Sequence, residues 1–191
     1  MNDDALADRR RATEDDYFRK RDNELIDRMR RQAEPTDTRQ RLSQRVGVAD
    51  DDVLQRLEAI GFSEDTAVLL HVVPLVHIAW TEGAISPRAV NRIFEAARDH
   101  GIEESSKAER QLWEWLKTRP SDTLFDEALL ALWSVLQQRA HLERERYANS
   151  LLERCTAIAS ASGGVLGFGK ISRREREVLE RIRRVFEVEC R

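Results

Sequence analysis

The stretch His77-Ile78-Ala79-Trp80-Thr81-Glu82-Gly83-Ala84-Ile85-Ser86-Pro87 decides the fold. Its left side closes an apolar run that begins at Thr66 and contains Val68, Leu69, Leu70, Val72, Val73, Leu75 and Val76. Gly83 enters the left-handed backbone region without steric cost and so ends a helix. Ser86 then offers the hydroxyl that caps a first turn, and Pro87 has the fixed φ that suits the first helical position. The stretch therefore predicts one apolar helix, a glycine turn with Ile85 inserted, and a second helix whose face is Val90, Ile93, Phe94 and Ala97. Pro74 lies inside the apolar run and is expected to kink or divide it, because proline removes an amide donor and clashes with the preceding turn.

Downstream, Gly101 ends the second helix and a further helix is expected over about 104–118, holding Leu112, Trp113, Trp115 and Leu116. Pro120-Ser121-Asp122 stops that helix and caps the next. From Leu124 the apolar residues Phe125, Ala128, Leu129, Leu132, Val135 and Leu136 keep helical spacing, and a mixed-charge stretch through Glu143-Arg144-Glu145-Arg146 leaves either one long helix or two. The segment Gly169-Lys170-Ile171-Ser172 then echoes Gly83-Ala84-Ile85-Ser86 at an offset of 86 residues. Ser172 and Glu175 form a capping-box pattern, and Val178, Leu179, Ile182, Val185 and Phe186 follow on one face. Two helix–turn–helix units in a pseudo-twofold arrangement are the expectation.

Upstream, Ser63 is expected to cap the apolar run, and Asp50-Asp51-Asp52 opens a helix that runs to Gly61. Three acids in a first turn suggest a metal site, but the helix dipole alone favours each of them by about 0.3–1 kcal/mol, so they are read as structural. A short helix over about 38–46 ends near Gly47. Pro35 breaks the chain before it. Residues 3–33 contain no Gly or Pro and read as a helix too sparse in apolar residues to bury itself. The domain expectation is a charged N-terminal helix over 1–34, a linker and short helix over 35–49, and a helical domain over 50–191.

The composition agrees with an all-α protein, a projecting N-terminal helix plus a compact multi-helix bundle. Of 191 residues, 35% are charged and 41% hydrophobic, with only 4 Pro. A net charge of −3 gives no bulk attraction to nucleic acid, so nucleic acid is not expected as a partner. Cys155 and Cys190 are far apart and show no zinc or disulfide spacing, which points to a reducing, cytoplasmic setting. The start, Met1-Asn2-Asp3-Asp4, lacks the basic and apolar character of an export signal. No apolar run approaches the roughly 20 residues of a membrane span, so direct membrane insertion is not expected.

Residues 77–86, together with Gly163-Gly164-Val165-Leu166-Gly167-Phe168-Gly169-Lys170-Ile171-Ser172, resemble the TerB-like family, all-helical domains associated with tellurite and other stress responses. The resemblance covers about residues 50–190. It implies a helical bundle whose acidic turns bind divalent cations, which makes Glu82 the candidate metal ligand. The pattern departs at Thr81 and at Lys170, where the second turn carries no acid.

Gly164, Gly169 and Lys170 also match the spacing of a phosphate-binding loop. Ile171 stands where a hydroxyl should bind magnesium, and the preceding residues read as helix, so this stretch is expected to be a bend. His71 and His77 are six apart and point to different faces of their segment, which reads as two packed histidines. His100 stands in a last helical turn and His141 in a charged stretch. The four tryptophans read as packing residues. No Ser/His/Asp or Cys/His set is visible in local spacing, and a non-catalytic protein with no cofactor is expected. An unrecognised hydrolase using His77, Glu82 or Lys170 is the alternative.

Arg9, Ala12, Glu14, Tyr17-Phe18-Arg19, Arg21 and Glu24 resemble the inhibitory segment of the mitochondrial ATP synthase inhibitor family, over about residues 8–31. In that family the segment is a helix that inserts between catalytic subunits of the soluble head and blocks ATP hydrolysis. The resemblance implies a protein partner at Glu14, Tyr17, Phe18, Arg19, Arg21 and Glu24, with ATP synthase catalytic subunits as the named candidate. The chemistry of the residues agrees. Tyr17 and Phe18 are aromatic anchors on a polar helix, and Glu14 and Arg19 can set register against charges. The histidine-rich extension of that family is absent, and a folded domain follows instead.

Overall fold

The computed structural model describes residues 37–162 and 171–187. Among these the protein is all-helical, and the helices pack as a multi-helix bundle. The chain divides into two units, Met1–Gln40 and Arg41–Arg191. Of the first, only residues 37–40 are described, as the start of helix α1 (37–46). Every other element belongs to the second.

Local chemistry sets most of the boundaries. Helix α1 ends at Gly47, whose φ of 77° lets its amide reach back to the Ser43 carbonyl at 2.8 Å. Helix α2 (Asp51–Ala59) is capped by Asp50, whose carboxylate accepts from the amides of Asp52 and Val53. It closes with paired bonds, Phe62 N–H to the Leu57 carbonyl and Gly61 N–H to that of Glu58, and the buried Phe62 side chain seals the end.

The apolar run is divided at the proline. A 3-10 turn covers Ala67–His71, and helix α3 (Val73–Ala79) starts with Pro74 in its first turn, where no amide bond is lost. Ser63 does not cap this run as expected. Its amide instead donates to the Thr66 hydroxyl at 2.9 Å, so Thr66 closes the turn with its own side chain. Val73, Pro74, Leu75, Val76, Ile78 and Ala79 are all buried, which makes α3 the central helix. It packs against α4 (Pro87–Asp99), α6 (Asp122–Gln137), α7 (His141–Ser162) and α8 (Arg173–Glu187).

Helix α4 begins with the Ser86 cap and Pro87. Helix α5 (Lys107–Lys117) starts three residues later than the sequence suggests, because Ser105 takes a φ of 61° and leaves Ser106 to cap the helix. The charged continuation after α6 is a separate helix: α6 ends at Gln137, and α7 restarts with the Ala140 carbonyl accepting from Arg144. This break lets α7 run back against α3 and α4. Its inward stripe is Leu151, Cys155, Ile158 and Ala159, at helical spacing. Burial pushes the Cys155 thiol up, so it stays an inert thiol of the core. No helix among the described residues is long and apolar enough to cross a membrane.

Candidate functional site

The serines of the two echoing stretches, Ser86 and Ser172, each cap a helix and reach into the other half. Ser86 caps α4 by accepting from the Ala89 amide at 3.2 Å, and its hydroxyl donates to the Ala161 carbonyl near the end of α7 at 3.3 Å. Ser172 caps α8 by accepting from the Glu175 amide at 3.1 Å, and its hydroxyl donates to Glu82, just past the end of α3, at 2.5 Å. Each serine thus ties the start of its own helix to the end of a helix in the other half. The capping box forms as the sequence suggests, with the Ser172 amide donating to Glu175 at 2.7 Å. Glu175 is buried, and its second oxygen has no hydrogen-bond partner.

Glu82 is exposed, and one of its oxygens is engaged by Ser172. The Thr81 hydroxyl donates to the His77 carbonyl. One carboxylate and two engaged hydroxyls do not fit a hard cation, which takes six or more oxygens. Among the described residues no group of three His, Cys, Asp or Glu gathers where it could hold a metal ion. The Ser172 hydroxyl serves the α8 cap directly, whereas Glu82 only accepts from it. Ser172→Ala is therefore expected to cost about 1–2 kcal/mol in urea unfolding, and exposed Glu82→Ala no more than about 0.5 kcal/mol. Equal losses would place the stabilising role in the bond between the turns rather than in the cap.

A second cluster assembles residues far apart in sequence. His71, from the 3-10 turn, stacks on His100 at the end of α4 with ring centroids 4.7 Å apart. Its Nδ1 lies 2.6 Å from the Tyr147 hydroxyl on α7. Arg139, between α6 and α7, lies over the Tyr147 ring at 5.7 Å. Burial, with His100 and Arg139 nearby, lowers the His71 pKa to about 4. Burial lowers His100 as well, with Arg154 adding to the effect, and burial raises the Tyr147 phenol. The histidines are thus neutral and the phenol keeps its proton. A pocket of about 170 Å³ opens at this cluster, lined by Arg45, Val46, Ala67, Val68, Leu70, His71, His100 and Val135.

His77 lies elsewhere, stacked on Phe125 at 4.2 Å, with Arg119 also over that ring. Its pKa falls to about 4, first through burial and then through Arg119 and Arg181. Both His71 and His77 bind protons less readily in the fold than in the unfolded chain. Their contribution to stability is complete above the unfolded pKa of about 6.5 and is lost as pH falls toward about 4. Urea unfolding followed from about pH 7.5 down to about pH 4.5 is expected to show a loss of up to about 3 kcal/mol per histidine, and His77→Phe should flatten part of that slope.

Other sequence candidates fall outside these clusters. His141 pairs with Glu145 at 3.6 Å. Trp80, Trp115 and Trp133 pack as expected, the Trp80 indole donating to the Trp115 carbonyl at 2.8 Å. Trp113 differs: it is 44% exposed and leans on Phe94, because α5 sits at the edge of the bundle. Glu14, Tyr17, Phe18, Arg19, Arg21 and Glu24 lie outside the described residues, as do Gly164, Gly169 and Lys170. No protein-family model matches this chain, and no characterised protein and no solved structure matches it.

Proposed function

We propose that this is a non-catalytic regulatory protein whose N-terminal segment binds a protein partner, with the catalytic head of ATP synthase as the named candidate and suppression of ATP hydrolysis as the effect. One observation carries the reading. Among the described residues, those buried from Leu42 to Phe186 form a hydrophobic core, and the charged segment with Tyr17-Phe18 belongs to the unit Met1–Gln40. An aromatic pair in a segment that carries too few apolar residues for a core of its own is suited to a partner's groove. Glu14, Arg19, Arg21 and Glu24 flank the pair with both signs of charge and can fix orientation on a charged surface.

The helical unit is read in the same proposal as a TerB-like domain, supported by the paired capping turns at Ser86 and Ser172. It would carry and orient the segment. The test is a direct titration of the purified chain onto the immobilised soluble head of ATP synthase, with and without residues 1–33. Saturable binding that disappears with the truncation is expected. Absence of binding by the full chain, or equal binding by both, would exclude this partner or this segment.

A further inference from the structure

The His71 pocket has a chemistry that the proposed partner-binding role does not use. Its charged or titratable lining residues are Arg45, His71 and His100, and no carboxylate lines it. Arg45 is exposed at the end of α1 and makes no ion pair among the described residues. Arg139 approaches the same cluster and, among the described residues, is matched only by the face of Tyr147. Asp99 of α4 is the nearby acid, and it is engaged by Arg154 of α7 at 2.8 Å. The cluster therefore holds more positive than negative charge.

The hydrogen-bond pattern gives this charge a direction. His71 Nδ1 and the Tyr147 hydroxyl share a hydrogen bond at 2.6 Å, and in the tautomer with the hydrogen on Nε2 the phenol donates to Nδ1. In that tautomer, which the proposal below assigns, the Nε2 hydrogen has no partner among the described residues. His71 lines the pocket with that donor still unspent. The arginine-rich cleft between α7 and α8 contrasts with it. That cleft measures about 980 Å³, and its Arg173, Arg181 and Arg184 pair with Glu177, Asp126 and Glu180.

We propose that the pocket formed by Arg45, His71 and His100 binds a small free oxyanion of sulfate or phosphate size. A volume of about 170 Å³ admits such an ion with a little water and is too small to enclose a nucleotide. Arg45 supplies the charge-assisted bonds, His71 a neutral donor fixed by Tyr147, and His100 a second imidazole that gains a proton when an anion is present. The groups facing His100 are the stacked His71, Arg139, Tyr147, Arg154 and the paired Asp99, so the bound anion adds the negative charge that favours its protonation. Binding is accordingly tighter at about pH 5.5 than at about pH 8.

The experiment is calorimetric titration of the full chain with sodium sulfate, which does not itself titrate in this range, against sodium chloride at equal ionic strength. The expected result is one saturable site with a dissociation constant on the order of 1 mM. Arg45→Ala, an exposed substitution that leaves the core intact, is expected to weaken binding about tenfold or more, while Arg184→Ala in the open cleft changes nothing. The imidazole resonances of His71 and His100 shift with sulfate, and the His100 titration midpoint moves upward. Heats indistinguishable from chloride, or equal affinity in the wild type and Arg45→Ala, would overturn the proposal. Tighter binding of adenosine monophosphate than of sulfate would overturn its assignment to a free ion.

Discussion

Leu132→Ala is expected to lower the unfolding free energy by about 3–4 kcal/mol. Leu132 is 0% exposed in the middle of α6, the helix that packs against α2, the 3-10 turn, α3 and α8. Truncation there removes three carbons from water-excluded contact and leaves a cavity walled by several helices, none of which can close over it without moving against another. Leu130 is the internal control. It lies on the same helix two residues away and is 45% exposed, so Leu130→Ala should stay within about 0.5 kcal/mol. Urea unfolding of both variants at neutral pH is the measurement that checks them. A similar loss for the two variants would mean that α6 is not seated with the face described above.

The second large effect is predicted for partner binding. Tyr17→Ala with Phe18→Ala is expected to weaken association with the ATP synthase head by a factor of about 100 or more, because aromatic hot spots each contribute roughly 2 kcal/mol or more when they fill a desolvated pocket. Arg21→Ala, a charge placed to steer rather than to anchor, should cost less and should depend on salt. The same double variant is expected to leave the urea midpoint unchanged, since the described residues from Leu42 to Phe186 already form a buried core. Loss of binding together with loss of stability would instead place Tyr17 and Phe18 in the fold.

The bundle was legible wherever a boundary is set by local chemistry. Gly61, Gly83 and Gly101 have φ values of 89°, 83° and 81°, and Asp50, Ser86 and Ser121 cap the helices that follow them. These are choices made within four or five residues, so a single sequence carries them. The division of the apolar run at Pro74 is of the same kind. The break between α6 and α7 is not: residues 138–140 contain no Gly or Pro, and the turn exists because α7 packs back on α3 and α4. Ser63 misled for a related reason, since a serine before an apolar run is an ordinary cap signal and only the neighbouring Thr66 hydroxyl turns the chain differently.

The His71 cluster could not be read at all. Its members stand on a 3-10 turn, the end of α4 and α7, and Tyr147 is 76 residues from the histidine it meets. His71 and His100 each looked like an isolated packed or terminal histidine. Charge gives the usable signal, in that Arg45 and Arg139 have no acid paired with them among the described residues, and that signal requires the fold to be visible. Of the echo between residues 83–86 and 169–172, the serines lie within the described residues: Ser86 and Ser172 each cap a helix and each reach the opposite half, whereas Gly169 and Lys170 lie outside them.

The N-terminal segment is the centre of the functional account, and ATP hydrolysis by the soluble ATP synthase head, measured as the purified chain is added, tests it most directly. Saturating inhibition is expected from the full chain and none from the Tyr17→Ala, Phe18→Ala variant at the same concentrations. Hydrolysis unaffected by the full chain, or suppressed equally by the variant, would contradict it.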